Sequence, residues 1–303
     1  MSNLYDANRQ WASRPADQRF WTLEEMNDAV FRHAADAAES RVSMRDLAIV
    51  TTDGDNLAIV GPTGQPAKMT TWSFGQLANR IGAPAGYLAK LPTQMAADCV
   101  THGMQTTYSD GREMSNVLFH KNGALVCRAF TSNEYARIWN ADVTKKLIPL
   151  GEQGWRVPPA RPCGGMEGRP ATEADVLTHR KGAGGLAINV GDMIAPAGLY
   201  ASDHDMFAFM VNEDKRLDDG TDGGLSRGFF VTNSEVGAAA FKITKFMYRH
   251  VCGNHIVWGA SNVTELRIVH SGSNDRRFGY KMASELRGYA DRSAAEKQKF
   301  CAL

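Results

Sequence analysis

The chain has 303 residues, 43% of them hydrophobic and 22% charged, with a formal net charge of +1. Those proportions belong to an ordinary globular protein. No run approaches the eighteen or so apolar residues of a membrane span, and Met1-Ser-Asn-Leu-Tyr-Asp-Ala-Asn8 lacks the charged-then-apolar pattern of a signal peptide, so a cytoplasmic protein with no membrane partner is expected.

Residues 1–45 read as a polar arm followed by a helix, with Thr22 as N-cap, Glu25 three residues on, and an apolar stripe of Met26, Val30, Phe31 and Ala34. Leu47–Thr51 and Leu57–Val60 flank Asp53-Gly54-Asp55-Asn56 and predict a hairpin. Between Thr70 and Pro92 two short helices are expected. Ser73 and Gln76 form a capping box for the first, Gly82 ends it, and Pro84 opens the second. Val117–Phe130 predicts a second hairpin around Asn122-Gly123, with Arg128 expected at a sheet edge. A helix carrying Tyr135, Arg137, Ile138, Trp139 and Val143 should follow.

The stretch 151–185 is rich in proline and glycine, which excludes a long helix or strand and reads as a loop or linker, closed by an N-cap at Thr172-Glu-Ala-Asp175. Lys181-Gly-Ala-Gly-Gly185 lacks the spacing of a phosphate or dinucleotide loop, so no cofactor is expected. Three strands are read at Leu186–Val190, Ala195–Tyr200 and Met206–Asn212, with Asp203-His204-Asp205 as a turn between the last two. Gly228–Thr232 alternates as a strand and Asn233-Ser234 stops it. A helix is then expected over Ala238–Tyr248, placing Lys242, Lys245 and Arg249 on one face. Cys252-Gly253-Asn254-His255 forms a second polar knot. Val263–His270 reads as a last strand and Phe278–Lys299 as an amphipathic helix.

Together these elements predict an α+β fold of mainly antiparallel sheet with flanking helices in strand-hairpin and helix units. It would comprise an arm and helix (1–45), an α+β half (46–150), the loop or linker (151–185) and a second α+β half (186–303), forming one composite domain. The five cysteines (Cys99, Cys127, Cys163, Cys252 and Cys301) include no Cys-x-x-Cys pair, so reduced thiols are expected and no metal site is indicated. Residues 225–303 hold twelve Lys and Arg against six Asp and Glu, a local charge of +6 that permits a polyanion-facing surface.

Several of these residues carry a resemblance. Phe74-x-x-Leu77 with the Gly82-x-Pro84 break, Val126-x-Arg128-Ala129 ahead of Tyr135, Thr232-Asn-Ser-Glu-Val-Gly237 and Val251-Cys-x-Asn254 resemble the phage and plasmid-like family called domain of unknown function 932. His270 also fits the pattern, although Val269 stands where an arginine is usual. The resemblance spans roughly Trp72 to His270 and implies a protein encoded by phages or mobile elements, acting in the host cytoplasm, with no established activity.

Three functions follow as expectations. The first is single-stranded nucleic-acid binding or annealing, as an accessory to recombination or replication, through Arg128, Tyr135, Arg137, Lys242, Lys245, Arg249, Arg276 and Arg277. The second is an assembly or anti-defence role through a second copy of the chain or a phage or host protein. The third is a metal-dependent enzyme using Glu235, His255 and His270, with Cys252 as a further ligand. Asn233, Ser234, Cys252 and Asn254 are otherwise read as buried structural polar groups.

Overall fold

The structure, a computed structural model, describes residues 14–52, 56–106, 113–163, 165–181, 188–196, 198–217, 225–249, 261–272 and 274–291. Seven α-helices and fifteen strands lie among them, in an α+β arrangement of mostly antiparallel sheets. The chain divides into two units, one formed by 1–31 with 138–303 and the other by 32–137.

Within 32–137, strands β1 (Ala37–Ser43), β2 (Ala48–Thr52), β3 (Asn56–Val60), β4 (Pro66–Met69), β5 (Met114–Asn122) and β6 (Ala124–Ser132) form one sheet in the order β1-β5-β6-β4-β3-β2. Every neighbour is antiparallel except β4 and β6. The predicted hairpins form β2–β3 and β5–β6. The second turns at Gly123, whose φ of 74° is open to glycine and strained for other residues. Helices α2 (Thr71–Arg80), α3 (Ala85–Leu88) and α4 (Thr93–Thr106) follow β4. Thr70, rather than Ser73, caps α2, and the box closes through Ser73 itself. Leu77, Ala97, Val100 and Met104 from these helices meet Ile59, Val117, Cys127 and Phe130 from the sheet. Ser73 Oγ donates to the Cys127 carbonyl (2.8 Å) and the Phe130 N–H donates to Gln76 Oε1 (2.9 Å), which fixes α2 on β6.

In the other unit, helix α1 (Leu23–Ala35, whose last turn belongs to 32–137) starts where the sequence places it, the Glu25 N–H donating to Thr22 Oγ1 at 3.1 Å. Helix α5 (Asn140–Leu147) begins later than expected, since Tyr135 lies in the turn after β6. The proline-rich stretch holds short strands β7 (Trp155–Arg156), β8 (Arg161–Pro162) and β9 (Arg169–Pro170), then helix α6 (Glu173–Lys181). With β10 (Met193–Ala195), β8 and β9 make a three-stranded sheet over Ala171, Val176, Ile188 and Ile194. The strand expected at Leu186–Val190 is absent from its described part, where Ile188–Val190 runs as loop and turn.

The main sheet of this unit is an antiparallel meander of β11 (Leu199–Ala201), β12 (Met206–Leu217), β13 (Leu225–Asn233), β14 (Phe241–Arg249) and β15 (Ser261–Ile268), with β7 paired to β12. The helix expected over Ala238–Tyr248 does not form; Phe241–Arg249 is strand β14. Its register sets Phe229 opposite Lys245 and Val231 opposite Ile243. Helix α7 (Asn274–Asp291) covers one face of the meander, where Phe278, Met282, Leu286 and Tyr289 meet Phe229, Val231, Phe241 and Ile243, joined by Val143 and Leu147 of α5 and by Trp155. No described helix is long and apolar enough to cross a membrane.

Candidate functional site

At the end of β13 the chain turns through Asn233, Ser234 and Glu235, all 2% exposed or less. Asn233 Nδ2 donates to the Ile138 carbonyl and to Asn140 Oδ1, both at 2.8 Å. Ser234 Oγ donates to the His204 carbonyl (2.5 Å) and accepts the Ala238 N–H (2.9 Å). Glu235 Oε1 accepts the Asn140 N–H at 2.9 Å, placing a buried carboxylate on the first N–H of α5, where the helix dipole favours negative charge. His270, just past β15, accepts the Ile138 N–H on Nδ1 at 3.4 Å, so the ring proton is assigned to Nε2. Two of the three residues proposed for catalysis, Glu235 and His270, thus grip the same segment, 138–140, from the ends of different strands. Cys252, Asn254 and His255 lie outside the described residues. Among the described residues no three His, Cys, Asp or Glu side chains converge as a metal ion requires.

The basic candidates are scattered. Because β14 is a strand, neighbours at odd spacing face opposite ways. Lys242 is half-buried and pairs with Glu265 (3.4 Å). Lys245 points to the other face, is buried, and pairs with Glu285 of α7 with its Nζ 5.5 Å from the centre of the Tyr289 ring. Arg249 ends the strand opposite Leu225, and Arg276 lies in the first turn of α7; their side chains are outside the described residues. The shared helical face expected of Lys242, Lys245 and Arg249 does not exist.

Within 32–137, Arg128 sits on β6, an inner strand rather than an edge, and is buried, with Nη1 3.4 Å from His33 Nδ1. Arg137 is buried against Glu39 (3.1 Å), and its guanidinium lies 5.2 Å from the centre of the Tyr135 ring. Of these three candidates the structure brings Tyr135 and Arg137 together. The two guanidinium groups are held inside, and only Tyr135 is partly accessible.

Arg277 is different. It is exposed on α7, and the helical period carries its face through Tyr280, Lys281, Ser284, Arg287 and Gly288, all exposed. At 100° per residue these positions occupy about 120° of arc. The opposite arc holds Phe278, Met282, Leu286 and Tyr289 in the core; Glu285, between the two arcs, pairs with Lys245, and Asp291 falls on the outward arc with its side chain outside the described residues. Tyr280 is 78% exposed. Among the described residues, neither Arg277 nor Lys281 has an ion-pair partner, and Arg287 bonds only the Ala283 carbonyl one turn back. The amphipathic period marks Tyr280 and Arg287 in the sequence as surface positions. It does not single them out as a site, because every surface helix has such a face.

Two ionisable clusters serve the fold. Tyr200 donates to Asp205 Oδ2 (2.9 Å) beneath Arg14, and burial with the Asp205 charge holds its hydroxyl well above the usual tyrosine range. Ser202 and Asp205 close the turn that Asp203-His204-Asp205 predicts. Asp175 takes a bidentate bond from Arg169 (2.7 and 3.0 Å), which keeps its carboxyl far below the ordinary range, and it caps α6 through Thr172. Cys127 is a buried thiol pushed up to about 12 by desolvation, despite its bond with Ser73.

No curated protein and no solved structure matches the chain. A family model does, over residues 184–303, which includes β10 to β15, the Asn233-Ser234-Glu235 turn and α7. The Phe74, Val126 and Arg128 marks of the resemblance fall outside that match. The family that this model describes is a domain of unknown function, DUF932.

Proposed function

We propose that the chain binds single-stranded nucleic acid through the outward face of α7, in the setting of a phage or other mobile element. The observation that supports this reading is the composition of that face: Arg277, Lys281 and Arg287 with the open Tyr280 and Ser284, ahead of Asp291 at the helix end. Arg277 to Arg287 spans about 15 Å at 1.5 Å per residue, enough to follow several phosphates of one strand. A basic track beside an aromatic ring suits sequence-tolerant binding, since phosphates meet the cations and any base can stack on Tyr280. The +6 charge of residues 225–303 draws a polyanion to the same end of the sequence.

Anisotropy titration of a labelled oligonucleotide at several salt concentrations tests it. Each phosphate contact contributes a slope of about −0.7 in log affinity against log salt. Replacing Arg277, Lys281 and Arg287 together by Ala should flatten the slope by about two units, and Tyr280→Ala should weaken binding at every salt concentration by about 1–3 kcal/mol. Lys242→Ala, which removes a cation already paired with Glu265, should leave the slope nearly unchanged. Absence of binding at low salt, or an unaltered slope in the triple variant, would move the function to protein contacts.

A further inference from the structure

We propose that the unit formed by 1–31 and 138–303 holds a site for a small oxyanion, phosphate or a phosphate monoester, with Arg19 as its principal ligand. The site is built on a charge without a counter-charge among the described residues. Arg19 is 8% exposed. Its backbone is fixed by a bridge to Tyr200 and by the neighbouring Phe20 N–H, which donates to the Leu199 carbonyl (3.3 Å). Its side chain meets no carboxylate among the described residues. Nη1 reaches the Met166 sulfur and Nη2 the Glu167 carbonyl, both at 3.3 Å, and Nε has no acceptor. A guanidinium stays charged at any pH a protein survives, so burial cannot neutralise it as it would a lysine. Buried charges in folded proteins are paired, because an unpaired one carries its full desolvation cost.

The partner has a place to sit. Arg19 lines a cavity of about 170 Å³, bordered also by Trp21, Glu167, Gly168 and Arg169. That is several times the roughly 30 Å³ a water occupies, and room for a tetrahedral ion. Its walls are held firmly. The Arg169 guanidinium carbon lies over Trp21, 4.2 Å from the ring centre, and is anchored by Asp175, and Trp21 packs on the cluster around Ile194. At Gly168 any side chain would run into the Ile194 carbonyl, so peptide backbone forms that wall. With Arg169 neutralised by Asp175, Arg19 is the cation whose charge is open to a ligand. The fork of a guanidinium matches phosphate oxygens. Glu167 is the opposing feature: its exposed carboxylate borders the cavity and repels an anion, so affinity should be modest and sensitive to that residue.

The test is thermal unfolding of the full chain with inorganic phosphate, or with a nucleoside 5′-monophosphate, replacing chloride at constant ionic strength. Phosphate at a hundred times its Kd should raise Tm by roughly 5–10 °C. Arg19→Met should abolish the rise while leaving the phosphate-free Tm level or higher, because an unpaired buried charge has been removed. Glu167→Gln, which leaves the Glu167 carbonyl bond in place, should tighten phosphate binding by about three- to tenfold, and it keeps the proposal testable should Arg19→Met fail to fold. A stronger response to the monoester assigns the site to phosphate monoesters, and an equal one to the free ion. No rise with either ligand, a rise that survives Arg19→Met, or binding indifferent to Glu167→Gln would overturn it. None of these variants touches α7, so the outcome is separable from the nucleic-acid reading.

Discussion

Asn233 spends both of its amide hydrogens on segment 138–140, while its own Oδ1 has no hydrogen-bond partner. Only an amide can do this: the two acceptors it faces, the Ile138 carbonyl and Asn140 Oδ1, would both repel a carboxylate of the same shape. Asn233→Asp should therefore cost about 3–5 kcal/mol in chemical denaturation, the range expected when a buried charge is left uncompensated. A loss under 1 kcal/mol would mean that the segment is held by other contacts. Cysteine chemistry gives a second residue-scale expectation. With its thiol pushed up to about 12, Cys127 carries almost no thiolate at neutral pH, whereas Cys99 is exposed. Iodoacetamide should label Cys99 in the native protein and Cys127 only after unfolding, as read by peptide mass mapping.

Among the elements, α6 has the most explicit electrostatic start. Thr172 and Asp175 cap each other, and Arg169 clamps Asp175 from the side. Since Asp175 is held below its unfolded value, its contribution is fully present above the ordinary aspartate range and is lost as pH falls through the lower folded value. Amide protection in α6, the exchange rate taken relative to that of the unfolded chain, should accordingly fall on acidification below about pH 4, the ordinary aspartate value, and Asp175→Asn should show that lowered protection already at neutral pH. That cap was readable from Thr172-Glu-Ala-Asp175, as were both hairpins, because turn and cap chemistry is local. β14 was not. Phe241, Lys242, Lys245 and Phe246 fit a helical spacing, and Ala238 to Ala240 are strong helix formers. A strand buried on both faces loses its alternation, and the register shift between Lys245 and Met247 breaks the period again. The bonds that make it a strand come from β13 and β15, which no local pattern reveals. Arg128 lies away from the expected edge for a related reason: whether a strand is edge or interior depends on neighbours from elsewhere in the chain. Arg19, Trp21 and Arg169 meet across some 150 residues of sequence, and nothing in their spacing announces the cavity they share.

At the scale of the molecule, each unit has its own core, one around Phe229 and Phe241, the other around Leu77 and Val117. Leu77→Ala should remove about 2–5 kcal/mol, and hydrogen exchange should register that loss across 32–137 while β12 to β14 keep their protection. Equal loss in both would show a single cooperative body. The division also has a consequence in time. The unit built on α7 draws Leu23 and Met26 into its core, yet Tyr289 of that core is made roughly 260 residues later. At about 5–20 residues per second, the core these two side chains join takes on the order of ten to fifty seconds to be made whole. The 32–137 unit is continuous and emerges whole in the interval. Synthesis therefore favours one order of events: the middle of the chain can settle first, while the start of α1 meets Ile138, Val143 and Leu147 next and has its core completed only when α7 is made.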